Sequence, residues 1–309
     1  MTGYGINIQS VTAFGSVNAY GNFNGCNSNI GFDGGVVLTT GEVTGPNGPE
    51  GPNDLPHSGI DNGTSGYNLI DSIISPHYSY NATVFEISFI PTGDSIFLKY
   101  VFGSEEYLEY VGSQFRDLVA MFLSGPNPSG GNYTDVNIAL TPYTQVPISI
   151  NNVNNSTLSL YYVSNESNVG STVEYDGFTQ PFIARAGVSH DSIYTLKIAI
   201  ADVSDGIYDS GVFIEEYSFT SGNFLEIEEP TVDDFVLYPN PANNYIQVQA
   251  PANLPVETYM IADAMGRIVM TQQTASSGFT MDVSSLDAGL YVITMKTEKG
   301  FTTKKIIKN

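Results

Sequence analysis

Tryptophan is absent from the 309-residue sequence, cysteine occurs once, and only 10 basic residues stand against 32 acidic ones. The lone Cys26 excludes an internal disulfide framework and a metal site made of several cysteines. The scarcity of bases gives a net charge of −22. Because nucleic-acid phosphates repel such a surface, the charge argues against nucleic acid as a partner and favours divalent cations.

Long apolar runs and familiar catalytic motifs are missing as well. The longest purely apolar run, residues 118–123, is far shorter than the ~20 residues of a transmembrane helix. His57, His77 and His190 are isolated, and neither a His-Glu-x-x-His nor a Gly-x-Ser-x-Gly motif occurs. Residues 1–5 have neither the basic nor the apolar part of a signal peptide, so if the protein is exported we expect its leader to lie outside this numbering.

The composition that remains is typical of β-structure. Glycine, asparagine, serine and threonine are abundant, and the 20 tyrosines and 17 phenylalanines suit pleated, half-buried surfaces. Apolar runs bounded by Gly, Pro or Asn predict strands at 83–90, 95–102, 118–123, 136–140, 156–163, 192–201, 211–219, 245–249, 258–262, 267–273, 280–283, 289–296 and 301–308. This spacing predicts an all-β protein, with an N-terminal jelly-roll-like β-sandwich and a small C-terminal Ig-like β-sandwich.

Charge divides the chain into two parts. Residues 1–229 hold 25 acids and 4 bases, whereas residues 230–309 hold 7 acids and 6 bases. The acidic, proline-containing segment 225–234 is typical of a linker. We therefore expect an acidic domain at 1–224 and a second domain at 235–309.

Residues 235–309 carry a motif of several parts. It consists of Tyr238, Pro239, Asn240 and Pro241, then Gly266 and Arg267, then Gly289 and Tyr291, and finally Lys304, Lys305 and Lys308. In order, spacing and position these residues resemble the type A C-terminal sorting domain of the type IX secretion system of Bacteroidetes. Independently of the family, Pro239 and Pro241 restrict the backbone ahead of the first predicted strand.

The resemblance implies what happens to the chain during export. It implies recognition by the outer-membrane translocon and its shuttle, processing by the sortase, and attachment of the remainder to surface lipopolysaccharide, or release. The expected location is therefore extracellular, at the cell surface.

The acidic part resembles the choice-of-anchor L domain of bacterial surface proteins, over residues 5 to about 222. The matching segments include 29–41 (NIGFDGGVVLTTG), 100–107 (YVFGSEEY) and 199–214 (AIADVSDGIYDSGVFI). The family is named for its anchoring, so the resemblance implies a surface protein and no particular chemistry.

Acidic residues gather directly after two predicted strands. Crowded carboxylates repel one another unless a cation or a proton intervenes, and their oxygens suit Ca²⁺. We therefore predict a structural calcium site formed by Glu105, Glu106, Asp202 and Asp209, with Asp205 and Asp176 in reserve. The alternative is a set of solvated loop carboxylates, since no EF-hand spacing is present.

The sequence as a whole predicts a secreted adhesion or binding module without enzymatic activity, whose ligand is a glycan or a protein. A structural subunit of a surface or secretion-associated assembly is the first alternative. A carbohydrate-active hydrolase, with Glu105 and Asp202 as its two facing carboxylates, is the second. Tyr78, Tyr80, Tyr107, Tyr110, Tyr161 and Tyr162 either form a platform for stacking on a glycan or alternate between core and surface.

Overall fold

The computed structural model describes residues 1–25, 28–43, 61–141, 145–166, 173, 175–222, 235–251, 254–263, 267–297 and 300–309. Cys26, His57, Gly266, residues 44–60 and the predicted linker 225–234 lie outside the described residues. The chain divides into two compact units, the first made of Met1–Asn155 with Tyr161–Phe224 and the second of Ser156–Leu160 with Leu225–Asn309. Within the described residues, no helix has both the length and the apolar character needed to cross a membrane.

In its described residues, the first unit consists of strands and one α-helix, and a 3-10 turn at Ser159–Tyr161 begins in the segment assigned to the second unit. The helix is α1, Asn68–Ile74, and the strands are β1 Ile6–Phe14, β2 Tyr20–Asn24, β3 Gly34–Thr39, β4 Ser79–Pro91, β5 Ser95–Ser104, β6 Leu118–Pro126, β7 Asn132–Asn137, β8 Ile148–Ser149, β9 Tyr162–Ser164, β10 Gly177–Thr179, β11 Phe182–Gly187, β12 Tyr194–Val203, β13 Ser210–Glu215 and β14 Thr220–Gly222.

These strands form two antiparallel sheets. The six-stranded sheet has the order β1-β4-β12-β6-β7, with β8 also on β6. The eight-stranded sheet has the order β2-β3-β13-β5-β10-β9, with β11 and β14 also on β5. The chain passes from the six-stranded to the eight-stranded sheet between β4 and β5 and again between β12 and β13, so the end of β12 and the start of β13 lie at the same end of the unit.

Both faces of the six-stranded sheet are covered. On one face, small side chains such as Ala82, Ala120 and Ala199 leave room for α1, whose Ile70 and Ile74 are buried against them. On β12 the alternate residues Ile198 and Ile200 are fully buried on the opposite face. This two-sided burial explains why β12 has the long apolar sequence of a central strand.

A tyrosine ring covers a pair of glycines in the eight-stranded sheet. Gly103 of β5 pairs with Gly211 of β13, and the ring of Tyr175 lies so close to both that a Cβ atom at either position would collide with it. The phenol oxygen of Tyr175 lies 2.9 Å from Thr39 Oγ1 of β3. The glycines are therefore required by the close approach of this buried ring.

The second unit contains a three-stranded sheet and a four-stranded sheet, with the orders β15-β16-β19 and β18-β17-β20-β21. The strands are β15 Val236–Tyr238, β16 Tyr245–Gln249, β17 Val256–Asp263, β18 Ile268–Ser276, β19 Gly278–Asp282, β20 Gly289–Thr297 and β21 Gly300–Lys308. Strand β16 alternates, with Ile246 and Val248 buried and its other residues exposed. Ile261, Ile293 and Ile306 belong to the same core.

The predicted all-β class, with a sandwich followed by a smaller sheet domain, is confirmed. Two predicted strands are wrong in part. Leu158 has a positive φ of 48°, so the predicted strand 156–163 forms only at its end, as β9. The strand predicted at 136–140 stops at Asn137, because the Asn137 side chain accepts hydrogen bonds from the backbone N–H groups of Met121 and Ala139. The pattern also did not predict β1 or α1.

Candidate functional site

Five acidic residues meet at one end of the first unit, and we call Glu105, Glu106, Asp117, Asp202 and Asp209 the buried acidic cluster. The strand register explains their meeting. Ala201 of β12 pairs with Leu118 of β6, which places Asp202 and Asp117 at adjoining strand ends. Ser210 of β13 pairs with Ser104 of β5. Just beyond these two strand ends, Glu105 N–H donates to the carbonyl of Asp209 at 3.0 Å.

All five side chains are buried, with at most 2% of any residue exposed. This burial contradicts the alternative of solvated loop carboxylates for these five residues. The strands carry them inward because β5, β6, β12 and β13 are central strands of their sheets. A carboxylate in such a place loses its hydration, and it must regain that energy from hydrogen bonds, a proton or a cation.

Asp117 is the most connected member of the cluster. Its backbone N–H donates to Glu106 Oε2 at 3.1 Å. Its own carboxylate accepts from Val203 N–H at 2.9 Å and from the Ser210 hydroxyl at 2.8 Å. Asp117 therefore joins residues from β12, β13 and the loop after β5.

Asn81 brings an amide group to Asp202. Strand β4 has an irregularity in its pairing with β12 between Ile200 and Asp202, which redirects the side chains at this point. Asn81 Nδ2 donates to Asp202 Oδ2 at 3.1 Å. Among the described residues, neither Asn81 Oδ1 nor Asp202 Oδ1 has a hydrogen-bond partner, although both residues are at least 99% buried.

Gly41 packs directly against the carboxylate of Asp209. A Cβ atom at position 41 would overlap the Asp209 carboxylate, so only glycine allows the backbone to approach it. The hydroxyl oxygen of the neighbouring Thr40 accepts from Ser210 N–H at 2.9 Å.

The electrostatics of the cluster favour the uptake of positive charge. Burial, together with the Asp117 carboxylate, raises the pKa of Glu106 to about 10. Burial raises the pKa of Asp117 well above its usual value, with Asp202 adding to the effect, and it does the same to the pKa of Asp202, to which Asp209 adds. The charges that raise the pKa values of these three acids thus belong to other acidic residues.

Three of the four Lys and Arg residues of this unit bond to groups outside the cluster. Lys99 pairs with Glu215 at 3.0 Å, and Lys197 pairs with Asp135 at 2.8 Å. Arg116 donates to the carbonyl of Ile74 at 3.1 Å. As the side chains stand, no three His, Cys, Asp or Glu residues of the described ranges are arranged to hold a metal ion. The calcium site therefore stays a prediction.

The structure brings together only part of the predicted calcium set. Glu105, Glu106, Asp202 and Asp209 lie in the buried acidic cluster, and Asp205 is half-buried at its edge, where its charge acts on Glu106. Asp176 belongs elsewhere, because the charges that act on it are those of Glu109 and Glu166. Asp117 and Asn81 were missing from the predicted set. The sequence signal that could have identified Asp117 is its position one residue before the predicted strand 118–123.

The same end of the unit carries two exposed apolar side chains, Tyr78 and Ile207, and the half-buried rings of Tyr110, Phe115 and Tyr208. The ring of Tyr110 lies 5.6 Å from that of Phe115 and 5.2 Å from that of Tyr208. Ser204 N–H donates to the carbonyl of Tyr78 at 3.0 Å, which brings the loop after β12 next to Tyr78. Tyr78 is 69% exposed and Ile207 is 57% exposed.

Two of the candidate platform tyrosines lie in the core. Tyr107 is fully buried and Tyr161 nearly so, and the ring of Tyr162 lies 4.8 Å from that of Tyr107. Tyr78 and Tyr80 are exposed. The six tyrosines therefore do not form a single platform.

In the second unit, Asn240 and the lysines of the predicted sorting motif lie together at the last strand. The Asn240 side chain donates to the carbonyl of Lys305 at 2.9 Å and accepts from Ile307 N–H at 2.8 Å. Asn240 therefore binds the loop that contains Pro239 and Pro241 to β21. Of the three lysines on this edge strand, Lys305 is exposed, while Lys304 and Lys308 are partly covered.

The other sorting residues have local structural roles. Arg267 donates to Asp263 through its backbone N–H at 3.0 Å and through Nε at 3.1 Å. Tyr291 is buried, and its hydroxyl donates to the carbonyl of Asp287 at 3.0 Å. Gly289 begins β20 opposite Lys308, and Tyr238 ends β15 with its ring partly exposed.

Comparison with family models gives two matches. Residues 3–220 match the model of the choice-of-anchor L domain. Residues 236–309 match the model of the secretion system C-terminal sorting domain. Among curated proteins the comparison finds no match.

Comparison with solved structures gives distant similarities. The BSP domain of a biofilm associated protein is 7% identical, with a TM-score of 0.21, and the match covers 74% of this chain and 48% of that one. A Ruminococcus gnavus beta-glucuronidase is 10% identical, with a TM-score of 0.20, and the match covers 73% of this chain and 34% of that one. The matches thus span less than half of the length of either structure, and scores this low do not identify a shared fold.

Proposed function

Because the chain belongs to the choice-of-anchor L domain family and carries a type IX sorting domain, we propose that its first unit is a non-catalytic adhesion module that binds a glycan or a protein outside the cell. The chain is a secreted, cell-surface protein. The sorting domain implies interaction with the type IX secretion machinery. The proposal extends this to adhesion and to stabilisation of the first unit by a bound Ca²⁺ ion.

The observation that carries the proposal is the contrast between buried acids and exposed aromatic residues at one end of the unit. The two carboxylates considered for hydrolysis, Glu105 and Asp202, are each at most 2% exposed. A glycosidase needs both carboxylates open to the sugar. The surface beside them presents Tyr78 and Ile207 to solvent, and exposed tyrosines with apolar neighbours are typical of contact surfaces.

Binding by the intact chain tests the adhesion proposal. The chain is applied to a glycan array and to whole cells, beside a Tyr78→Ser/Ile207→Ser double variant. An Ile183→Ser variant is the matched control, because Ile183 is 48% exposed on β11. We expect the double variant to lose at least about tenfold in affinity, as for a contact hot spot, and the control to bind like the original chain. Equal binding by both variants, or no binding by the original chain, contradicts the proposal.

Export is tested separately. A chain without residues 235–309 is expected to remain in the periplasm of a type IX-competent host, whereas the intact chain reaches the cell surface or the medium. Equal secretion of both chains contradicts the role of the second unit without touching the adhesion proposal.

The structural-subunit alternative has one specific observation in its favour. Strand β1, at the edge of the six-stranded sheet, has the sequence INIQSVTAF without a charge or a proline, and its last six residues are exposed. Natural edge strands of this kind usually carry charges or proline that prevent pairing with another chain. Light scattering over a range of concentrations tests this alternative, which requires oligomers that a Val11→Lys substitution disperses.

A further inference from the structure

The strongest unexplained feature of the molecule is the demand for positive charge in the buried acidic cluster. Asp117 N–H donates to Glu106 Oε2 at 3.1 Å, and the register of β6 and β12 places Asp117 beside Asp202. All five residues are buried, and Lys99, Lys197 and Arg116 bond to groups outside the cluster. Carboxylates buried this close together repel one another unless a proton or a cation compensates their charge.

A second, independent observation points to a ligand. Asn81 Oδ1 and Asp202 Oδ1 have no hydrogen-bond partner in the described part of the chain, and both side chains are almost wholly buried. Asn81 lies against the buried acidic cluster, because its side-chain nitrogen donates to Asp202 Oδ2. Unpaired oxygens this deep destabilise the folded protein when nothing binds them.

The donor set selects the type of ion. Every donor is a carboxylate or amide oxygen, with no histidine or cysteine, which favours Ca²⁺ or Mg²⁺ over zinc. Mg²⁺ usually keeps several of its waters, whereas Ca²⁺ accepts six to eight protein oxygens in a flexible geometry. A water-poor pocket with several carboxylates therefore suits Ca²⁺.

We propose that one Ca²⁺ ion binds among Glu106, Asp117, Asp202 and Asp209, with Asn81 Oδ1 as a neutral ligand. This inference rests on the calcium stabilisation included in the proposed function and assigns its site. The carboxylates turn toward the ion, which compensates their charge. It joins β4, β6 and β12 of one sheet to the ends of β5 and β13 of the other, so it fastens the two sheets at this end.

The test uses the intact chain, freed of metal with a chelator and titrated with CaCl₂ or MgCl₂ by calorimetry and by thermal unfolding. The variants are Asp117→Asn and Asp202→Asn, with Glu109→Gln as the control, since Glu109 is an exposed acid of the same loop. We expect Ca²⁺ to raise the Tm of the original chain and of the control by at least about 5 °C, and Mg²⁺ to raise it less. The two Asn variants are expected to bind Ca²⁺ at least about 100-fold more weakly.

An Asn81→Gly variant keeps the test decisive if an Asp variant does not fold. Asn81 has a φ of 49°, which glycine adopts readily, so the substitution removes the amide without straining the backbone. It is expected to fold and to weaken Ca²⁺ binding about tenfold, as for the loss of one neutral ligand.

The outcomes separate the site from the broader proposal. If Ca²⁺ leaves the Tm of the original chain unchanged and Asp202→Asn raises it, protons hold the cluster, and both the site and the calcium stabilisation are wrong. If Ca²⁺ stabilises the Asn variants as much as the original chain, the ion binds elsewhere and only the site is wrong. Adhesion is measured in its own assay and does not depend on either result.

Discussion

Asp117, one residue before β6, lies beside Asp202 near the end of β12, and both side chains are buried. The register of β6 and β12 places them at adjoining strand ends, and Asn81 of β4 reaches the same point. Two acids held so close in a dry pocket require a proton or a cation between them. The fold thus builds a site for positive charge at the end where the two sheets meet.

A methyl group at position 41 is expected to disturb this site. In Gly41→Ala the new Cβ atom overlaps the Asp209 carboxylate, so that carboxylate must move. We expect a loss of about 1–3 kcal/mol in the free energy of unfolding, together with weaker Ca²⁺ binding. Urea unfolding measures the change, with Gly278→Ala as the control because a Cβ atom at position 278 meets no atom within 4 Å. Unchanged stability in Gly41→Ala contradicts the packing described here.

The Tyr175 ring is expected to stabilise the first unit mainly through its packing on Gly103 and Gly211. Tyr175→Phe keeps the ring and loses the contact with Thr39 Oγ1, which costs about 1 kcal/mol. Tyr175→Ala leaves a cavity over the two glycines and costs about 3–5 kcal/mol. Denaturant unfolding of the two variants in parallel checks the order. Similar losses in both would assign the stabilisation to the hydroxyl group.

Asp176 is expected to make the first unit less stable as the pH rises. Burial raises its pKa from 3.8 to about 7, and the Glu109 and Glu166 carboxylates add to this. Between these two values the folded protein holds a proton that the unfolded chain releases, so stability falls as the pH rises through this range. Because Asp176 is only partly buried, solvent screening limits the effect to about 1–2 kcal/mol.

The variant Asp176→Asn removes this titration. It is expected to match the original chain at pH 4 and to exceed its stability by that amount at pH 8, as measured by urea unfolding at both values. Glu86→Gln, at an exposed acid of β4, is the control, and its stability is expected to equal that of the original chain at both pH values. A larger stability advantage of Asp176→Asn over the original chain at pH 4 than at pH 8 would contradict the sign of the predicted effect.

In the second unit, Asn240 is expected to position the last strand. Asn240→Ala removes the two hydrogen bonds to the backbone of Lys305 and Ile307, at a cost of about 1–2 kcal/mol. If the machinery recognises the strand as Asn240 holds it, the secreted fraction also falls several-fold. Immunoblotting of the medium and the cells measures this, with Asn244→Ala, an exposed position nearby, as the control. Normal secretion of Asn240→Ala limits Asn240 to a structural role.

The strands could be predicted from the sequence more completely than the site. Strand β16 alternates strictly and β12 has a long apolar run, so both were visible in the pattern. Strand β1 has mostly exposed side chains and therefore gives no burial signal, and α1, at seven residues, is too short to show a helical period.

The site could be predicted only in part, because its assembly depends on pairing between distant strands. Glu105 and Glu106, like Asp202, follow predicted strands, and their common location was therefore expected. The place of Asn81 depends on an irregularity in the pairing of β4 with β12, which no local pattern reveals. Asp176 looked similar in sequence but lies beside Glu109 and Glu166, because β10 pairs with β9.

Equilibrium dialysis of the intact chain against radioactive Ca²⁺, followed by dialysis into chelator-free buffer, measures directly whether the buried acidic cluster holds one calcium ion. We expect the original chain and Glu109→Gln each to retain a single Ca²⁺ ion and Asp202→Asn to retain none. Retention of no calcium by the original chain, or of equal calcium by Asp202→Asn, would contradict this expectation.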